Sequence, residues 1–223
     1  MIVEHDRDFM RAAGARIEVS QATNEDLADL DIGSSFAPEF SDQRVPTLRQ
    51  VLELAKGKVG IFIELKYYGR DVQLEEKVVE LVEETGMSDD IVVMSLNYDG
   101  VRKTAAIRPN WTYGLLNAVA IGDLTRLDVD FLALTANNTT VPMIRRTHRR
   151  GMKSYPWTID DPVQMWIMMS RGADGIITDQ VARAKRIKEL RAEVTPVGRF
   201  IIWIAGEVGL LRGMENSSPE DNA

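Results

Sequence analysis

Gly60-Ile61-Phe62-Ile63-Glu64-Leu65-Lys66 is the stretch on which the fold turns. It is short and β-rich, and the residues after it change period. Over residues 74–85, apolar Val78, Val79, Leu81 and Val82 recur among glutamates at helical spacing, and Gly86 closes the segment. The alternation then repeats. Residues 91–95 predict a strand, and 98–107 a helix that Pro109 stops. Further strands are expected at 112–116, 131–135, 153–157 and 175–178, and helices at 121–127, 142–150, 162–171 and 182–193. Strands alternating with helices imply parallel pairing through right-handed crossovers. A doubly wound open sheet and a (β/α)8 barrel both satisfy that pattern. No Gly-x-Gly-x-x-Gly or Gly-x-x-x-x-Gly-Lys-Ser/Thr segment is present, which weakens the nucleotide-binding open sheet.

Upstream of residue 60 the pattern differs. Ile2-Val3-Glu4-His5 reads as the last part of a strand. A long polar connection follows, with one short helix starting at Asn24 behind a Thr23 cap. Another, over residues 48–55, has a Thr47 cap and Gly57 at its end. A connection of that length is expected to overhang a binding site.

Composition narrows the function classes. The 223 residues carry 27 Lys and Arg against 34 Asp and Glu, a net charge of -7, with no long basic run. Such a chain is a poor match for a nucleic-acid backbone, and no nucleic-acid partner is expected. Cysteine is absent, so disulfides, thiolate metal sites and cysteine nucleophiles are excluded. The first residues carry charge early and show no apolar run followed by small residues, so no signal peptide is read there.

Side chains alternate across a strand, so Phe62, Glu64 and Lys66 share one face and Ile61, Ile63 and Leu65 the other. In a barrel the aliphatic face meets the helices, and Glu64 and Lys66 look inward near the carboxyl end of the strand, where active sites of such barrels lie. Two charges there need each other or a ligand; a Glu–Lys pair that merely plugs the mouth is the plain alternative. His5 ends an apolar run, as a polar strand terminus or a catalytic group. His148 sits among Arg145, Arg146, Arg149 and Arg150 and reads as a solvated residue. Trp157 ends another strand, as core packing or as a wall against substrate, and Asp179 reads as a helix cap.

These residues also carry a resemblance. His5-Asp6-Arg7-Asp8, Ile32-Gly33-Ser34-Ser35-Phe36-Ala37-Pro38-Glu39-Phe40, Val45-Pro46-Thr47-Leu48 and Ile63-Glu64-Leu65-Lys66 resemble glycerophosphodiester phosphodiesterases. Trp157-Thr158-Ile159-Asp160 and residues 172–179 are similar to that family's closing segments, in the same order. The resemblance implies a TIM-type (β/α)8 barrel over residues 1–193, followed by a C-terminal helical tail over 194–223. It further implies hydrolysis of a glycerophosphodiester to glycerol 3-phosphate and an alcohol, with Ca2+ or Mg2+ as divalent cofactor. On that pattern His5 is a catalytic acid or base, Glu64 a metal carboxylate and Lys66 a phosphate-holding cation. Trp157 then stands beside the glycerol or the leaving group. Hard oxygen ligands suit such ions, and a histidine can protonate a departing alkoxide near neutral pH.

The family's His-Arg pair and Glu-x-Asp segment have no counterpart here, because only Met1 to Glu4 precede His5. The expectation is therefore an incomplete barrel lacking its first βα unit and most of its second strand, either the carboxyl-terminal part of a longer protein or the product of a truncated reading frame. An inactive barrel that binds phosphate esters or a membrane surface is the alternative. Residues 200–211 are apolar and carry Trp203. They read either as a helix covering the barrel or an upstream domain, or as a peripheral membrane contact, and residues 214–223 read as disordered.

Overall fold

The computed structural model describes residues 1–69, 73–117 and 122–210. The chain divides into two units, with the boundary between Tyr113 and Gly114.

In the first unit the amino-terminal segment forms no ladder. Ile2 makes an isolated antiparallel bridge to Thr47, and the Val3 amide donates to the Pro46 carbonyl at 2.9 Å. The expected strand end is thus replaced by a crossing with the start of a helix. Short helices α1 (Met10–Ala13) and α2 (Asn24–Ala28) follow, then α3 (Leu48–Ala55). Thr23 and Thr47 each close a capping box, with Asp26 and Gln50 as the reciprocal partners. Strand β1 (Ile61–Leu65) pairs in parallel with β2 (Ile91–Ser95), Ile61 opposite Ile91 and Leu65 opposite Ser95. Helix α4 (Leu74–Thr85) connects them and α5 (Tyr98–Ile107) leaves β2, as the periodicity predicts.

The reason for this arrangement is burial. Ile63 and Leu65 of β1, Val93 of β2, Leu52 of α3, Val78 and Val82 of α4 and Val101 of α5 are all buried. Removing such side chains from water contributes roughly 1.5–3 kcal/mol each. Gly86 stops α4 at φ +66°, and its amide and that of Met87 return to the Glu83 and Val82 carbonyls. Only glycine takes that conformation without strain.

β3 (Thr112–Asn117), whose residues from Gly114 on belong to the second unit, pairs in parallel with β4 (Phe131–Leu134), and β4 with β5 (Lys153–Ser154), Gly114 opposite Phe131 and Phe131 opposite Lys153. All four residues of β4 are buried, as a central strand requires. The strand expected over 153–157 lasts only two residues. Pro156 has no N–H to donate, and pairing resumes as a single bridge between Thr135 and Trp157. The strand expected over 175–178 does not form a ladder. It makes single hydrogen bonds instead, from the Ile177 amide to Pro156 and from the Ile159 amide to Ile177, both 2.9 Å. A one-turn 3-10 helix (Leu124–Arg126), capped by Asp123, stands where a helix over 121–127 was expected; residue 121 lies outside the described residues.

Four helices complete this unit: α6 (Val141–Arg149), α7 (Pro162–Arg171), α8 (Val181–Glu193) and α9 (Pro196–Glu207). Ile159, Met165, Ile167 and Met168 form a buried cluster, with Ile176 and Ile187 packed against it. Arg171 ties α7 to α9 through paired hydrogen bonds to Glu207 at 2.7 and 2.8 Å, and also donates to the Thr139 carbonyl at 2.9 Å. The other face of α9 turns Val197, Phe200, Ile201 and Ile204 outward. Among the described residues no helix is long and apolar enough to cross a membrane. The expected disorder over 214–223, and residue 211 of the apolar stretch, lie outside the described residues.

Gly86→Ala is expected to destabilise the protein by about 1–2 kcal/mol, the cost of a left-handed Cβ-bearing residue. Urea unfolding reads this as a lower midpoint at unchanged slope.

Candidate active site

Burial of Ile63 and Leu65 sets the direction of their neighbours. Phe62, Glu64 and Lys66 fall on the opposite face, and Phe62 is 46% exposed there. The Glu64 carboxylate and the Lys66 ammonium lie 3.6 Å apart, each side chain about four-fifths withdrawn from water at 21% and 18% exposure. That separation is an ion pair in a partly desolvated place, where mutual attraction exceeds that of a surface pair.

A cavity of about 490 Å³ lies between the amino-terminal segment and β1, and Glu4, His5, Glu64, Lys66 and Tyr68 line it. His5, Glu64 and Lys66, the three residues picked out in this unit from the sequence, therefore meet at one cavity. Trp157 belongs to the other unit. It is half-buried there, and its indole Nε1 donates to the Ala133 carbonyl at 2.8 Å.

His5 is held through backbone and ring. The Tyr68 hydroxyl donates to the His5 carbonyl at 2.6 Å, and the His5 and Asp6 amides both donate to the Glu4 carboxylate. The imidazole Nδ1 lies 2.7 Å from the Asp6 carboxylate, which also accepts from Arg11 Nε at 2.6 Å. Asp6 is acidified to about 2, first by the Arg11 hydrogen bond and then by that of His5. An ionised carboxylate only accepts, so Nδ1 carries the proton and Nε2 is the atom free to exchange one with a substrate. The ring is 70% exposed. This supporting carboxylate was not singled out in the sequence, although it is the very next residue. Tyr68 was also missed, yet it continues the period-two series Phe62, Glu64, Lys66.

At the carboxyl ends of the strands a second cavity, about 660 Å³, shares Glu64, Leu65, Lys66 and Tyr68 with the first. Its far wall comes from β2 and α5. The Ser95 hydroxyl donates to the Leu65 carbonyl at 2.7 Å and accepts from the Asn97 amide at 3.0 Å, locking the two strand ends together. Asn97 in turn caps α5 by accepting from the Asp99 and Gly100 amides.

The donor set for a divalent ion is thin. Among the described residues no three His, Asp or Glu side chains gather in a way that could hold a metal ion, and Glu64 faces Lys66. Ca2+ and Mg2+ take six or more oxygen ligands. These residues do not fit the ion that the resemblance implies. Elsewhere, His148 is not simply solvated: its Nε2 lies 2.8 Å from Asp174, whose carboxylate also accepts from the Ser154 amide. Asp179 does not cap α8; its amide donates to Asp160, which also accepts from the Thr178 hydroxyl.

Residues 1–183 match the family described as the glycerophosphoryl diester phosphodiesterase family. A glycerophosphodiester phosphodiesterase of Caldanaerobacter subterraneus subsp. tengcongensis is 28% identical over 189 residues, covering 80% of this chain and 76% of that protein. One from Bacillus subtilis is 23% identical over 214 residues, covering 85% and 72%. Among solved structures, an Oleispira antarctica phosphodiesterase in complex with the product sn-glycerol-3-phosphate superposes with a TM-score of 0.79 at 20% identity, covering 84% of this chain and 79% of that one. A glycerophosphodiester phosphodiesterase of Parabacteroides distasonis gives 0.74 at 24% identity, covering 86% and 79%. The likeness shows the fold, the TIM-type (β/α) barrel class.

Arg11→Ala is expected to move the Asp6 carboxyl from about 2 back toward 3.8, measurable by carboxyl NMR titration. Because folding lowers this group, its contribution to stability is complete above about pH 4 in the native chain. It falls away as the pH drops toward 2.

Proposed function

Since this chain belongs to the glycerophosphoryl diester phosphodiesterase family, we propose that it hydrolyses glycerophosphodiesters to sn-glycerol 3-phosphate and an alcohol. The observation that carries this reading is the single cavity onto which His5, Glu64 and Lys66 converge. The substrate is a deacylated phospholipid, which makes the reaction one of lipid and glycerol breakdown.

Each residue has a role that follows from its contacts. Lys66 offers the diester its ammonium, and Glu64, 3.6 Å away, fixes that ammonium in place. As water forms its bond to phosphorus, the bond from phosphorus to the alcohol oxygen breaks. The departing oxygen takes the proton from Nε2 of a protonated His5, and the attacking water gives up its own proton to solvent. Asp6, ionised and 2.7 Å from Nδ1, stabilises the imidazolium and holds the ring. The outward apolar stripe of α9 suits a peripheral contact with the bilayer from which such substrates come.

Release of sn-glycerol 3-phosphate from glycerophosphodiesters, assayed with and without Ca2+ or Mg2+, is expected to fall about 10²–10⁴-fold in His5→Ala. Undiminished release from that variant, or none from the native chain under any of these conditions, would overturn the reading. Sedimentation with phosphatidylcholine vesicles is expected to carry down the native chain and to leave a Phe200→Ser, Ile204→Ser double variant in solution.

A further inference from the structure

Helix α6 has two sides of opposite character. Ile144 and Thr147 are buried, which fixes its inward side. The helical turn then sends Arg145, Arg146, Arg149 and Arg150 outward, and all four are exposed. Arg146 lies 3.9 Å from Asp123, a carboxylate that Arg126 also approaches at 3.4 Å. The guanidinium groups of Arg145, Arg149 and Arg150 make no hydrogen bond or ion pair among the described residues. Lys153, just past the helix, adds another exposed cation.

Composition does not force this crowding. Residues 1–113 carry 13 Lys and Arg against 21 Asp and Glu, and residues 114–223 carry 14 against 13. The second unit therefore has carboxylates enough for its cations, yet leaves these three without one. Like charges at i and i+4, Arg145 with Arg149 and Arg146 with Arg150, weaken a helix rather than support it. The helix dipole favours cations in the last turn, which accounts for Arg149 and Arg150 but not for Arg145 a turn earlier.

Arginine narrows the partner, because the guanidinium fork takes phosphate oxygens in pairs. A nucleic acid would use those forks alone. The same unit, however, also turns Val197, Phe200, Ile201 and Ile204 of α9 to solvent. The two features are close in space. Arg171 donates to the Thr139 carbonyl, just ahead of α6, at 2.9 Å and to Glu207, at the end of α9, at 2.7 Å. Phosphate-binding cations near an outward apolar helix suit a lipid surface that carries negative charge.

We infer that the Arg145, Arg149 and Arg150 face of α6 docks on an anionic phospholipid bilayer. The inference rests on the reading above that α9 meets a bilayer, and it adds the charge of the lipid and the residues that select it.

Sedimentation of the full chain with two kinds of vesicle tests this, one of phosphatidylcholine alone and one of phosphatidylcholine mixed with phosphatidylglycerol. At low salt the mixed vesicles are expected to bind about 10²-fold tighter, roughly fivefold for each guanidinium. That difference is expected to vanish at about 0.5 M salt, where exposed charges are screened. In the triple variant Arg145→Gln, Arg149→Gln, Arg150→Gln the difference is expected to fall below about threefold. Melting temperature and release of sn-glycerol 3-phosphate from a soluble diester stay unchanged in that variant, and lysine at the same three positions restores the preference. No preference for the mixed vesicles, or one that survives the glutamine substitutions, overturns the inference. Tight binding to duplex DNA without a vesicle preference overturns it too. A preference for mixed vesicles with no binding to phosphatidylcholine alone upholds the cationic face and strikes the reading of α9 instead.

Discussion

Two aliphatic side chains on β1, Ile63 and Leu65, must leave water, and the pleat of the strand leaves their neighbours no choice of side. Glu64 and Lys66 are driven to the opposite face together, two residues apart, where each becomes the other's nearest counter-charge. Desolvation that would be costly for either alone is offset by the pair. The two cavities of the first unit share these side chains as their common wall. The strand ends are then fixed by one hydroxyl, that of Ser95, which bridges the Leu65 carbonyl and the Asn97 amide. A slip of one residue in β1 would send both charges into the aliphatic core and dissolve the site.

Polar chemistry around His5 is arranged differently, by local bonds rather than by the strand. Glu4, Asp6 and Arg11 are all within six residues of it, and their hydrogen bonds hold the ring outside any ladder. Among the described residues Tyr68 supplies a long-range tie, across 63 residues of sequence. His5 is thus carried on a locally folded segment, while Glu64 lies on β1 and Lys66 directly follows it.

Much of this was readable beforehand, and the reasons differ by element. Helices with strong periodicity and clear caps, such as α3 behind Thr47 and α4 before Gly86, lie where the pattern puts them. Glu64 and Lys66 were legible because alternation is a local property of a strand. The segments around Pro156 and Gly175 were not, since whether a short apolar run joins a ladder depends on a partner's free donors, and Pro156 has none. Asp6 and Tyr68 escaped notice for another reason: their roles come from partners that local pattern does not reveal, Arg11 for one and the His5 carbonyl for the other. The same holds for Asp174, whose link to His148 crosses 26 positions.

Arg171 holds α9 through Glu207, whose carboxyl it keeps below the usual range chiefly by its own hydrogen bond. That tether is at full strength above the ordinary carboxylate range and is lost as acidity rises through the depressed value. The same guanidinium also reaches the Thr139 carbonyl ahead of α6. One proton on one side chain therefore removes the polar tie between α7 and α9 while the β4–α6 turn stays pinned and the apolar contact of Gly206 with Ile167 and Val163 remains.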